Sequence, residues 1–301
     1  MKAVVTGGGG FVGRAVIKEL LENGFEVICI DKKINPSFFP VNNQLTFMEC
    51  SIEDLSKKKT GIEGVDLFYH FAWKGSAGPL RNDPEVQVEN AKWTIDCLKL
   101  AKEIKCPKFI CAGSIMEFET QKVIYAQGTK PAMSYIYGAG KTLAHELAKP
   151  LANFLGIDLI WAYITNAYGV GEESPRFINT TLRKIISKDK LNFTAGNQCY
   201  DFIYIDDVAK AFYLLGKNGI PNKGYVIGSG RARALKDFII EMIAATDPSQ
   251  KPTFGDVPFT GIDLPLESFD ITPLRKDCGF NPKISFADGI QRTFQWLKGK
   301  E

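Results

Sequence analysis

Three side chains in this sequence have the types and spacing for proton transfer at a carbinol. Tyr137 and Lys141 stand four residues apart in Tyr-Gly-Ala-Gly-Lys. On a helix, that spacing puts both on one face. A free tyrosine phenol ionises near pH ~10. A neighbouring ammonium, together with an oxidised nicotinamide ring, stabilises the phenolate and brings it into range for acid–base work near neutrality. Ser114 lies just past the apolar run 108–113. Its hydroxyl can hold a substrate oxygen beside Tyr137. A Tyr-x-x-x-Lys pair is common by chance, so its meaning depends on what the rest of the chain builds around it.

A second group of residues addresses phosphate. Gly7, Gly10 and Gly13 form Gly-x-x-Gly-x-x-Gly between a strand-like run at 2–6 and a helix-like run at 11–23. The first glycine allows a tight turn, the second lets backbone approach a diphosphate, and the third lets helix and strand pack closely. The N–H groups and dipole at the helix start then hold the phosphates. Gly8 and Gly9 are variable positions of the pattern. The next strand-like run ends at Asp31, 18 residues after Gly13. A carboxylate there suits a ribose diol and repels a 2′-phosphate, which predicts NAD. Lys32 and Lys33 follow directly and can serve a 2′-phosphate, so NADP stays open.

The elements that must position these groups alternate through the first half. Strands are expected at 2–6, 25–31, 45–50, 65–72, 108–113 and 157–164, and helices at 11–23, 84–105 and 134–155. Apolar, β-rich strands separated by helices imply a parallel sheet covered on both faces. Right-handed crossovers make it a Rossmann-type, doubly wound α/β sheet. Pro150 falls inside the 134–155 segment and is expected to kink or end that helix. After residue 165 the segments shorten and prolines multiply, which reads as a smaller, less regular C-terminal substrate lobe. The stretches 202–216 and 224–228 are expected to return to the sheet. The dinucleotide-binding domain is therefore 1–165 plus about 202–228, and the substrate lobe is about 166–201 and 229–301.

With these pieces in order, the chain resembles the extended short-chain dehydrogenases/reductases, in their NAD-dependent epimerase/dehydratase group. The matching segments are TGGGGFVG (6–13), Asp31, HFAW (70–73), Asn90, Ser114, YGAGK (137–141), NAYGVG (166–171), YDFIYIDDVAKA (200–211) and YVIGSG (225–230). DITPLRKDCGFNP (270–282) also fits the family's C-terminal lobe. The resemblance implies a Ser114–Tyr137–Lys141 triad acting on a nucleotide-activated sugar. Tyr137 would be the acid/base, and Lys141 would also bind the nicotinamide ribose. It further assigns Phe11, Val12, Lys32, Ser51, Ile52, Phe71, Ala72, Trp73 and Asn90 to the cofactor, and Asn166 and Tyr200 to the substrate side. It implies a homodimer through the helices at 84–105 and 134–155, whose apolar stripes are wider than one sheet face needs.

Departures from the family pattern narrow the chemistry. Dehydratases of the group carry Asp-Glu after the triad hydroxyl residue, where this chain has Ile115-Met116. Glu117 is one place off and reads as a packing or capping residue. Members that epimerise beside a keto group use a cysteine where Met116 stands, and a thioether cannot shuttle protons. Hydride chemistry at one carbon remains. It leads to a 4-epimerase, or to a ketoreductase or dehydrogenase if the hydride is not returned. A non-catalytic dinucleotide sensor on the same fold is the reading from another class. The arginine often found before Asp-Phe is Tyr200 here, so the diphosphate grip falls to Arg176, Arg231 or Arg233.

The remaining residues read more blandly. His70 is expected to be structural. Trp73 either walls the nicotinamide pocket or simply packs, and Asn90 is expected to bond backbone near the site. Lys57-Lys58-Lys59 reads as a solvated loop. A net charge of +3 argues against a nucleic-acid or membrane partner. No apolar stretch approaches a membrane span and the N-terminus does not read as a secretory signal, which places the protein in the cytoplasm. Seven scattered cysteines and two histidines suggest neither disulfides nor a metal site.

Overall fold

The computed structural model describes residues 1–58 and 60–300, so Lys59 of the lysine run lies outside the described residues. Its first half runs β1 (Lys2–Thr6), α1 (Phe11–Glu22), β2 (Glu26–Asp31), β3 (Leu45–Glu49), α2 (Ile52–Leu55) and β4 (Leu67–His70). It continues through α3 (Pro84–Glu103), β5 (Lys108–Ser114), α4 (Met116–Ile124), α5 (Ile136–Leu155) and β6 (Asp158–Ile164). Then follow β7 (Asn166–Tyr168), α6 (Phe177–Ile186), β8 (Asn192–Phe193), β9 (Cys199–Tyr200), β10 (Phe202–Tyr204) and α7 (Ile205–Asn218). The chain closes with β11 (Gly224–Ile227), β12 (Arg233–Ala234), α8 (Leu235–Thr246), β13 (Thr253–Phe254), α9 (Thr272–Cys278) and α10 (Phe286–Lys298).

Seven strands form one sheet in the order β11-β6-β5-β4-β1-β2-β3. Every pairing in it is parallel. The chain winds outward from β1 through β2 and β3, then restarts at β4 on the other side of β1. The reversal leaves a crevice at the carboxyl ends of β1 and β4, where such sheets bind ligands. Side chains alternate across the pleat. Ala3 and Val5 face Val16, Ile17 and Leu20 of α1 and Val208 and Phe212 of α7. Val4, Phe68 and Phe109 face Leu98 of α3 and Ala144 and Ala148 of α5. Two helix layers therefore dry both faces of the sheet.

The structure departs from the sequence reading in three places. Residues 116–124 form α4 directly after β5, a short helix that periodicity did not reveal. Of the stretch expected to return to the sheet, only β11 does so. β10 pairs with β7 in a separate two-stranded sheet, and 205–218 is the helix α7. The run 202–216 is apolar because α7 is buried against α1 and the sheet face. Finally, α5 runs unbroken through Pro150. Pro150 is exposed, so water can serve the carbonyl its ring leaves unpaired.

The C-terminal residues pack onto the α1–α7 side. Phe202 meets Phe238 of α8 with ring centroids 5.0 Å apart, and Phe238 meets Phe286 of α10 at 4.8 Å. This aromatic group belongs to the same buried cluster as β1 and α1. Among the described residues no helix is long and apolar enough to cross a membrane. Asp207 of α7 ties down the approach to α10. Its two carboxylate oxygens accept the backbone N–H groups of Lys283 and Ile284, each at 2.9 Å. Asp207→Ala leaves both donors unpaired. We expect a loss of about 3 kcal/mol in stability by urea denaturation, with the α1–β1 core intact by circular dichroism.

Candidate active site

The turn after β1 is built on close backbone approach. Gly7 has φ +68°, and a Cβ there would lie 2.5 Å from the Ala72 nitrogen. A Cβ on Gly13 would lie 2.2 Å from the Gly7 carbonyl oxygen. Neither position admits a side chain. Gly10 caps α1 without a side-chain bond, and the first turn holds no acidic residue. Its N–H groups therefore remain available to an anion. Asp31, at the end of β2, accepts the Gly9 N–H at 3.0 Å and the Lys32 N–H at 2.7 Å.

One cavity of about 530 Å³ runs from this turn across the crevice. Gly7, Gly10, Phe11, Val12, Gly13, Asp31, Lys32, Ser51 and Ile52 line its first part. Phe71, Ala72, Trp73, Ser114, Tyr137, Lys141 and Arg176 line the rest. Sheet order sets Thr6, His70 and Cys111 side by side on β1, β4 and β5, so the glycine turn, the loop after β4 and Ser114, three residues further along β5, open on the same side.

Ser114 is the last residue of β5 and Tyr137 lies in the first turn of α5. The Ser114 Oγ accepts the Met116 N–H at 3.2 Å. Lys141 is buried and donates from Nζ to the Ala112 carbonyl at 2.8 Å. The same Nζ sits 3.4 Å from the centroid of the Trp73 ring. Trp73 also meets Tyr137 edge to face at 6.1 Å and donates from Nε1 to Gln87 Oε1 at 2.8 Å. Trp73 therefore both walls the cavity and packs. Arg81, which sequence reasoning missed, places its guanidinium carbon 3.8 Å from the Tyr137 ring centroid. Its only sequence signal is the Gly-Pro pair at 78–79, which marks a turn and says nothing of the target.

Buried polar groups brace this wall from behind. Glu117 is fully buried and accepts the Ser114 N–H at 2.8 Å. Its two oxygens also take the Trp161 Nε1–H at 3.1 and 3.2 Å, so it is a local packing and capping residue as expected. His70 bonds Thr6 Oγ1 at 2.8 Å and Thr94 Oγ1 at 3.2 Å. Burial, and then the Lys141 charge, push its pKa down to about 3, so it is a neutral structural link. Asn90 bonds backbone beside the site, as its expected role has it. It lies outside the cavity lining, and its amide bonds both the N–H and the carbonyl of Lys74 at 2.8 Å. Gln87, also missed, donates to the Leu80 carbonyl at 3.0 Å.

The substrate-side candidates divide. Arg176 lines the cavity and pairs with Glu172 at 3.4 Å. Arg231 is exposed and outside the lining. Arg233 is ion-paired with Glu241 and lies over the Phe238 ring at 4.1 Å. Asn166 donates to the Asp201 carbonyl at 3.2 Å. Tyr200 stacks on Phe202 at 5.7 Å, and burial raises its phenol to about 12. None of these last four reaches the cavity. The short pairing of β9 with β12, invisible in the sequence, turns Tyr200 and Arg233 into the lobe instead. Ile115 packs with Leu264 and Phe269, so no acid–base pair follows Ser114.

The sequence profile of the NAD dependent epimerase/dehydratase family matches residues 3–228. The chain belongs to that family. A protein of Methanocaldococcus jannaschii, described provisionally as a UDP-glucose 4-epimerase, is 26% identical, with 98% of each chain covered. The solved UDP-N-acetylglucosamine 4-epimerase of Methanobrevibacter ruminantium, in complex with UDP-N-acetylmuramic acid, superposes with a TM-score of 0.83 at 20% identity, covering 100% of this chain and 99% of that one. The UDP-glucuronic acid 4-epimerase of Bacillus cereus, solved with UDP-glucuronic acid and NAD, gives 0.80 at 22% over 100% of both chains.

The family's cofactor fits what this chain offers. The open first turn of α1 suits a diphosphate, and Asp31 suits a ribose diol rather than a 2′-phosphate. His70 has a consequence for stability. Its folded pKa of about 3 lies below the unfolded value, so the folded state binds fewer protons. Stability is full above pH ~6.5 and falls as pH drops from there toward ~3. A His70→Gln variant should show a shallower loss of Tm over that window.

Proposed function

We propose that this chain is an NAD-dependent 4-epimerase of a nucleotide-activated sugar, a UDP-sugar by analogy with its relatives. The carrying observation is that Ser114, Tyr137 and Lys141 line the same cavity as the glycine turn and Asp31. The bound nicotinamide supplies a hydride acceptor that can later act as donor. Tyr137 takes the proton of the sugar hydroxyl as that carbon is oxidised. The Ser114 hydroxyl donates to the resulting carbonyl oxygen, and the buried Lys141 ammonium keeps positive charge beside the phenol. Once the keto sugar has turned over in the site, the returned hydride would reach the opposite face of the carbonyl carbon, and Tyr137 gives its proton back to the carbonyl oxygen.

Arg176 is our candidate for the diphosphate, since it alone of the three predicted arginines lines the cavity. Dehydration is disfavoured because Ile115 and Met116 offer no acid–base pair. Net oxidation or reduction would use the same groups. The nicotinamide absorbance band separates the two fates. An epimerase interconverts UDP-glucose and UDP-galactose, or their uronic or N-acetyl counterparts, with no net change in that band. Stoichiometric cofactor turnover would make it an oxidoreductase. Tyr137→Phe should lower turnover by about 10²- to 10⁴-fold. Full biological activity in that variant would favour a sensor.

The same reading makes the protein a cytoplasmic isomerase of carbohydrate metabolism and a homodimer through α3 and α5. Val88 of α3 is 56% exposed, and Leu147 and Phe154 of α5 are 47% and 84% exposed. Covering such side chains favours association. Light scattering should give twice the 33.4 kDa chain mass, and Phe154→Lys should return it toward one.

A further inference from the structure

We propose that Arg81 is a second cation on the tyrosine that carries the proposed chemistry, a positioning residue that stabilises the Tyr137 phenolate through the ring face. This rests on Tyr137 as the acid/base.

The geometry is built rather than incidental. Arg81 sits in the single turn Pro79–Asn82. Gly75 and Gly78, with φ of +72° and +74°, bend the chain into it. Gln87 holds the Leu80 carbonyl at 3.0 Å, and Arg81 donates from Nη1 to the Ser76 carbonyl at 2.8 Å. These contacts fix the guanidinium 3.8 Å from the Tyr137 ring centroid. A neutral phenol ring attracts a cation through its quadrupole. A phenolate carries a full negative charge spread into the same ring, so the cation favours the ionised form.

The surrounding charges act on this pair. Burial lowers the Arg81 pKa, while Tyr137 pulls the other way; Arg176 adds a like charge and Glu119 an opposite one. Burial pushes the Glu119 carboxyl up to about 7, against the pull of Arg81. Tyr135 and Tyr200 are the other titratable groups that feel Glu119. On the far side Lys141 lies over Trp73, and buried His70 stays neutral.

The test is a tyrosinate difference titration of the NAD-loaded enzyme without sugar, wild type minus Tyr137→Phe. It needs no substrate, so failure of the 4-epimerase reading leaves it readable. Arg81→Met should raise the midpoint of the Tyr137-dependent band by about one pH unit. Arg81→Lys should restore most of the Arg81→Met shift, because it returns the charge without the guanidinium's shape. A structural role predicts no such recovery. An unchanged midpoint in Arg81→Met, or no recovery in Arg81→Lys, overturns the proposal, as does absence of any Tyr137-dependent band. If Arg81→Met fails to fold, an unchanged midpoint in Arg81→Gln overturns it alone.

Discussion

The structure depends on one close approach. The backbone at Gly7 passes so near the Phe71–Ala72 peptide that a single added carbon would sit 2.5 Å from it. That contact joins the turn after β1 to the loop after β4, across the place where the sheet reverses direction. It opens the crevice, and it fixes where Trp73 begins. The cavity wall is therefore set by a backbone spacing that only glycine permits.

Trp73 carries that placement into the chemistry. Its ring faces the Lys141 ammonium, its edge meets Tyr137, and its indole N–H is held by Gln87. Lys141 is buried yet bonded to the Ala112 carbonyl, so its charge is held by geometry rather than by a carboxylate. Buried ionised groups are tolerated only when hydrogen-bonded in this way. Glu117 obeys the same rule behind Ser114 with its two N–H donors. Lys141 and Glu117 are thus satisfied polar groups that each fix a backbone atom of the cavity wall, the Ala112 carbonyl and the Ser114 N–H.

Much of the fold was legible because its signals are local. All seven sheet strands, the last of them at 224–228, and the three long helices follow from apolar runs and glycine punctuation. The glycine turn, Asp31 and the Tyr137–Lys141 spacing belong to the same class. The misses have separate causes. α4 is too short for a period to emerge, and the apolar run from 202 does not say whether it joins the sheet or, as α7 does, packs on its face against α1. Asn90 bonds the Lys74 backbone as expected, but which backbone segment it serves depends on the loop after β4.

The sequence alone determined which groups could do chemistry, because residue type and short spacing decide what a side chain can donate, accept or ionise. Tertiary structure decided which of them meet. Arg176 reaches the cavity while Arg233 is claimed by Glu241 and Phe238, and no local signal separates the two. Arg81, silent in the sequence, lies on the Tyr137 ring because two left-handed glycines and one glutamine fold its loop there. Contacts between residues 56 positions apart depend on sheet order and loop closure, and neither is written in any short window of the chain.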